Sequence, residues 1–191
     1  MVAFGVGVYF WRLSSRSLKL LTGLLLYGNI NNLICYLVGK SVGNNMPVVH
    51  IYTLIAYLFV ALLFSLWHKR RTAILIRLSI PAFYIIYVVL LLTGYEKLML
   101  PNKYSLTIMG LLVAIISLYT LYMLLKDHTD FPVRKDERFW VSLGAFSNFS
   151  NNIFVFTGIP VFITLPLWYI YDVLVIIGNI LFIMGYLCLR K

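Results

Sequence analysis

Few side chains in this sequence can do chemistry, and their types and spacing narrow the choices. Only one acid, Asp172, falls inside an apolar run, and the histidines are His50, His68 and His128. His50 could serve as a general base with Asp172 orienting its ring, acting on a lipid at the outer leaflet. No nucleophile accompanies that pair in a recognisable pattern, so an outer-leaflet lipid-modifying enzyme stands as a second alternative. A more general chemistry is hydrogen bonding to a ligand. Asn29, Asn32, His50, Tyr52, Asn148, Asn151, Tyr171 and Asp172 supply amides, phenols, an imidazole and a carboxyl suited to a small polar solute or a lipid headgroup.

Other chemistries are excluded. A zinc hydrolase needs about three converging His or carboxylate ligands, and the topology derived below puts His50 on the opposite side from His68 and His128. The chain has no Gly-x-Ser-x-Gly elbow, no phosphate-binding Gly-rich loop, no Cys-x-x-Cys and no closely spaced acids to hold magnesium on a diphosphate. No metal or other cofactor is therefore expected. Cys35 and Cys188 fall at opposite ends of their helices, too far apart for an intramolecular disulfide.

The elements that must position these residues follow from composition. Of 191 residues, 62% are hydrophobic and 12% charged, whereas roughly a quarter of a soluble domain is charged. About 20 apolar residues are needed to cross the hydrocarbon of a bilayer, so the length holds six or seven spans and no soluble catalytic domain. Apolar segments bordered by charge, Pro or Gly read as spans at 1–13, 18–38, 48–67, 74–94, 104–125, 139–157 and 166–189. The first, ending near Arg12, is short for a crossing. It reads as a thinned span, a remnant or a half-inserted helix rather than a cleaved leader, since it lacks a basic n-region. The expected fold class is all-α, a polytopic membrane helix bundle forming one transmembrane domain over 1–191.

Charge orients the bundle. Thirteen of the 16 Lys and Arg fall after spans 1, 3 and 5 or at the C-terminus; only Lys40, Lys97 and Lys103 face the other way. Basic residues beside spans stay cytoplasmic, so the C-terminus is expected in the cytoplasm and the N-terminus outside if span 1 crosses. The net charge of +10 is spread between apolar runs rather than gathered in one patch, so nucleic acid is not an expected partner. Lys69, Arg70 and Arg71 form the tightest basic cluster. They read as a topology signal that could also hold anionic lipid headgroups. The segment 126–138, with four acids, four bases and Pro132, reads as a solvated cytoplasmic connection.

One internal match relates the second and third spans to the last two. At an offset of 119, Asn29 falls on Asn148, Asn32 on Asn151, Ile34 on Ile153, Gly39 on Gly158, Val42 on Val161, Pro47 on Pro166, Ile51 on Ile170, Tyr52 on Tyr171 and Leu62 on Leu181. Both hairpins run from the cytoplasmic side and back, which makes the repeat parallel. It divides the chain into three-helix halves over 1–69 and 103–191, joined by a linker helix in 70–102 that Pro81 should kink. This 3+1+3 layout resembles the SWEET sugar transporters in architecture. Their Pro-Gln dipeptide cannot occur here because the chain contains no Gln, and span 7 has no Lys for a retinal Schiff base. His50-Ile51-Tyr52-Thr53, Arg138-Phe139-Trp140 and the Asn-bearing last span with its basic end resemble a group of small seven-span bacterial membrane proteins without assigned activity. Where that group carries an acid in the first turns of span 3, this chain has Ala56. The likeness implies a fold and a cytoplasmic-membrane location.

Counted along the spans, the Asn residues, His50, Tyr52, Tyr171 and Asp172 lie in the outer half of the bilayer. Asn29 and Asn32 share one helix face, as do Asn148 and Asn151. The sequence therefore predicts an outward-facing polar cavity that binds or transports a small polar solute or lipid headgroup, as a transporter or sensor among membrane lipids. The alternative is a non-catalytic assembly or regulatory subunit. In that reading the Asn faces join helices within the chain, in a homo-oligomer or with a membrane partner protein, and the basic loops meet that partner.

Overall fold

Once a chain is this apolar, its backbone must satisfy its own hydrogen bonds, and the helix does so within each segment. The computed structural model describes residues 1–127, 132–156 and 167–189. Among them are seven α-helices and no strand: α1 (Val2–Tyr9), α2 (Arg16–Val42), α3 (Met46–Ser65), α4 (Arg70–Leu92), α5 (Lys103–Asp127), α6 (Glu137–Phe156) and α7 (Leu167–Leu187), with a short 3-10 turn at Val133–Lys135. Local chemistry sets several ends. The Ser15 hydroxyl accepts from the Leu18 amide to open α2, Gly43 closes it at φ 79°, and Pro47 occupies the first turn of α3, where no amide donor is needed. Gly94, at φ 77°, turns the chain after α4.

Among the described residues, five helices are long and apolar enough to cross a membrane: α2, α3, α4, α5 and α7. The protein is therefore a bundle of membrane-type helices. With 8 residues, α1 rises only about 12 Å. It packs against α2 and α7. α6 is long enough, but Glu137, Arg138, Ser142, Ser147, Asn148, Ser150, Asn151 and Asn152 dilute its apolar content.

The packing explains how so polar a helix is accommodated. α6 lies between α5 and α7, and Ser142, Ser150, Asn151 and Asn152 are all buried there. Glycine lets the helices approach. A Cβ on Gly110 of α5 would come within 2.7 Å of the Phe149 carbonyl oxygen, and one on Gly178 of α7 would overlap the Asn148 amide. On the other side α2, α3 and α4 pack in chain order, and α3 also meets α5. The core where these groups meet is formed by Leu21, Leu24, Val60, Phe64, Val141 and Phe182. Tyr186 of α7 bonds Thr22 of α2 at 2.7 Å and closes the ring of helices. α4 is one continuous helix through Pro81.

Candidate functional site

The bundle has two polar regions at opposite ends, and sequence reasoning looked to the first. At the end formed by the α2–α3 and α4–α5 connections, His50 is buried with both ring nitrogens engaged. Nε2 lies 3.0 Å from the Leu100 carbonyl oxygen, and Nδ1 lies 3.0 Å from the Tyr87 hydroxyl. A carbonyl can only accept, so Nε2 carries the proton and Tyr87 donates to Nδ1. Around this pair, Asn102 donates to Thr53 Oγ1 at 2.7 Å. The buried Glu96 carboxylate receives the Ser105 amide at 2.7 Å and its hydroxyl at 2.5 Å, capping the start of α5. Every polar side chain in this cluster is less than a tenth exposed. The cluster ties α3, α4 and α5 together and presents no open surface.

Of the eight residues expected to line one cavity, the structure brings only a few together. Tyr52 stacks on Tyr27 with ring centroids 5.6 Å apart, and Tyr171 lies within its electrostatic reach. His50 faces Tyr87 and Leu100, whereas Asp172 is exposed on α7. A His50–Asp172 dyad is therefore not formed. Asn29 and Asn148 are half-buried and each returns its amide to its own helix, Asn29 to Leu25 O at 2.7 Å and Asn148 to Gly144 O at 3.1 Å. Asn32 and Asn151 differ, because Asn32 is exposed and Asn151 is buried with its Nδ2 unbonded. Gly158, Val161 and Pro166 of the repeat lie outside the described residues, as do His128, Asp130, Arg190 and Lys191. Cys35 and Cys188 form no disulfide, and the Cys188 thiol donates to the Arg134 carbonyl oxygen at 3.7 Å.

At the opposite end, where α2, α4 and α6 begin and α3, α5 and α7 finish, an open recess of about 520 Å³ is lined by Ser15, Arg16, Ser17, Leu66, Trp67, Asp136, Glu137 and Arg138. That volume lies within the roughly 300–1,000 Å³ typical of small-molecule sites. Three elements build it: the start of α2, the end of α3, and the turn into α6. Glu137, in the first turn of α6 where a negative charge suits the helix dipole, accepts the Ser15 hydroxyl at 2.6 Å and the Ser17 hydroxyl at 3.0 Å on the same oxygen, Oε1. Asp136 holds Arg138 in a two-pronged pair, with the shortest contact at 2.6 Å.

Nearby, His68 sits 2.9 Å from the Thr120 hydroxyl. That hydroxyl spends its own proton on the Ile116 carbonyl at 2.8 Å, so a neutral His68 donates to it. Burial, and then the Arg138 guanidinium, hold the His68 ring below the ordinary histidine range. Lys69, Arg70 and Arg71 are exposed at this end, beside the start of α4. Sequence reasoning took the segment 126–138 for a solvated connection and missed the recess. Its one signal was the pair Asp136-Glu137 at the start of the polar helix α6. Compared with family models, curated proteins and solved structures, the chain matches none.

Proposed function

We propose that this chain is a multi-pass protein of a bacterial cytoplasmic membrane that binds a small polar solute or a lipid headgroup, as a transporter or sensor. In this reading the bundle has seven spans in a 3+1+3 arrangement, with α1 as a short first span and α6 as a polar span shielded by its neighbours. The N-terminus is outside and the C-terminus cytoplasmic. The observation that carries the reading is the recess, whose volume and mixed polar and apolar walls suit a small ligand. The ligand then enters from the basic, cytoplasmic end rather than through the outward cavity that the Asn residues suggest. Tyr27, Tyr52 and Tyr171 mark the outer end of any route through the bundle.

Leu66 is an exposed lining residue, so Leu66→Trp fills the recess without disturbing the core. Native mass spectrometry of protein from lipid nanodiscs should show a lipid or solute retained by the wild type and lost from Leu66→Trp. Equal retention by both, or none by either, refutes the reading.

Asn32 favours a second reading, self-assembly. Its amide is exposed on α2 with no bond among the described residues, about 24 Å along the helix from Arg16, where lipid offers no partner. The amide of a second copy would satisfy it, since Asn both donates and accepts. Single-molecule photobleaching in liposomes tests this: dimers that vanish in Asn32→Leu support it, and unchanged counts exclude it.

A further inference from the structure

The recess is lined by two acids, Asp136 and Glu137, and two bases, Arg16 and Arg138. They are not equally committed. Asp136 and Arg138 neutralise each other through paired contacts at 2.6 and 3.0 Å. Arg16 is exposed and, among the described residues, bonds no side chain. Glu137 gives Oε1 to Ser15 and Ser17 and leaves Oε2 unbonded. Arg16 and Glu137 thus line one cavity without forming an ion pair, each holding a charge that is open to a ligand.

The sign pattern selects among ligands. A plain anion would gain Arg16 but also meet the Glu137 carboxylate. A plain cation would gain Glu137 and be repelled by Arg16. A neutral sugar or amide would leave both ions to water. A molecule with an anionic group at one end and a protonated amine at the other answers both, with each contact a charge-assisted hydrogen bond, about twice as strong as a neutral one. Position refines the class. Leu66 and Trp67 form the apolar part of the wall, and the recess opens at the end of the helices, at the depth where lipid headgroups lie.

Resting on the reading that the recess is a ligand site, we infer that its ligand is a phosphoethanolamine-type zwitterion, phosphate against Arg16 and ammonium against Glu137. It comes either as the headgroup of phosphatidylethanolamine or as free phosphoethanolamine.

The test uses the full chain in nanodiscs holding equal parts of phosphatidylethanolamine, N-acylated phosphatidylethanolamine, phosphatidylcholine and phosphatidylglycerol, with retained lipid read by native mass spectrometry. The wild type should keep phosphatidylethanolamine at least about fivefold over phosphatidylglycerol and over its own N-acylated form, both of which lack the ammonium, since the loss of one charged contact at a partly exposed site is worth roughly 1 kcal/mol; phosphatidylcholine, whose quaternary ammonium keeps the charge but has no N–H to donate, should be retained to an extent between the two. Glu137→Gln should remove that preference, whereas Arg16→Gln should lower the retention of all four lipids together, since every one of them carries the phosphate that Arg16 would hold. Both variants should fold, because Arg16 bonds no side chain among the described residues and a Gln at 137 still offers the serines an oxygen; a thermal melt checks this. If free phosphoethanolamine displaces the lipid, the free zwitterion is the source; if it does not, the lipid-borne group is. Equal retention of phosphatidylglycerol, or a preference that survives Glu137→Gln, overturns the zwitterion while leaving a ligand site in place. If no lipid is retained and neither free phosphoethanolamine nor glycerol phosphate shifts the melt, the ligand reading itself fails.

Discussion

Replacing Tyr87 by Phe removes one oxygen, and its neighbours set the consequence. The Tyr87 hydroxyl donates to His50 Nδ1 across 3.0 Å, while His50 Nε2–H is held by the Leu100 carbonyl at 3.0 Å. With His50 only 1% exposed, no water reaches Nδ1 when the hydroxyl is gone. A buried acceptor left without its donor costs about 1–3 kcal/mol. For a chain of this length, where each kcal/mol moves Tm by about 2–4 °C, the melt should fall by roughly 2–12 °C. Scanning fluorimetry in nanodiscs measures it. A double-mutant cycle isolates the cause: in a His50→Leu background Nδ1 no longer exists, so adding Tyr87→Phe should cost little or even help. The bond assignment fails if Tyr87→Phe is neutral alone, or if the two substitutions add independently.

Three further predictions concern packing, pH and the recess. Gly110→Ala should destabilise by about 1–2 kcal/mol, because its Cβ would stand 2.7 Å from the Phe149 carbonyl oxygen, which backbone geometry cannot move aside. Gly5→Ala, with nothing within 4 Å, should be neutral or stabilising in the same melt. His68 is held below the ordinary histidine range by burial and then by Arg138. Its unfolded form therefore takes up a proton first, and the stability it contributes is complete above the usual value near 6.5 and lost as pH falls below it. His68→Phe should flatten that part of the stability–pH curve, and an unchanged slope would show that another group is responsible. Glu137→Ala should cost about 2–3 kcal/mol, because it removes the acceptor of two hydroxyls, one of them on the buried Ser17. Glu137→Gln should cost less than half as much, and equal losses would mean that the serine bonds are not what holds α6 to α2.

The all-helical character of the chain and the existence of its long apolar helices were legible in the residues alone. In hydrocarbon each segment must satisfy its own backbone, so apolar length read along the sequence maps directly onto helices such as α3 and α5. The partners of polar side chains were not legible. Asn29 and Asn148 look like cavity walls by spacing, yet each folds its amide back onto its own helix, which a periodic pattern does not distinguish from pointing outward. Only the tertiary structure encloses the polar α6 between α5 and α7, where close approach at Gly110 and Gly178 shelters it. It also decides which oxygens meet across the chain: Glu137 with Ser15 and Ser17, 122 and 120 residues away, and His50 with Tyr87, 37 residues away. Such contacts depend on how the helix ends converge in space, and the linear order of residues carries no signal for it.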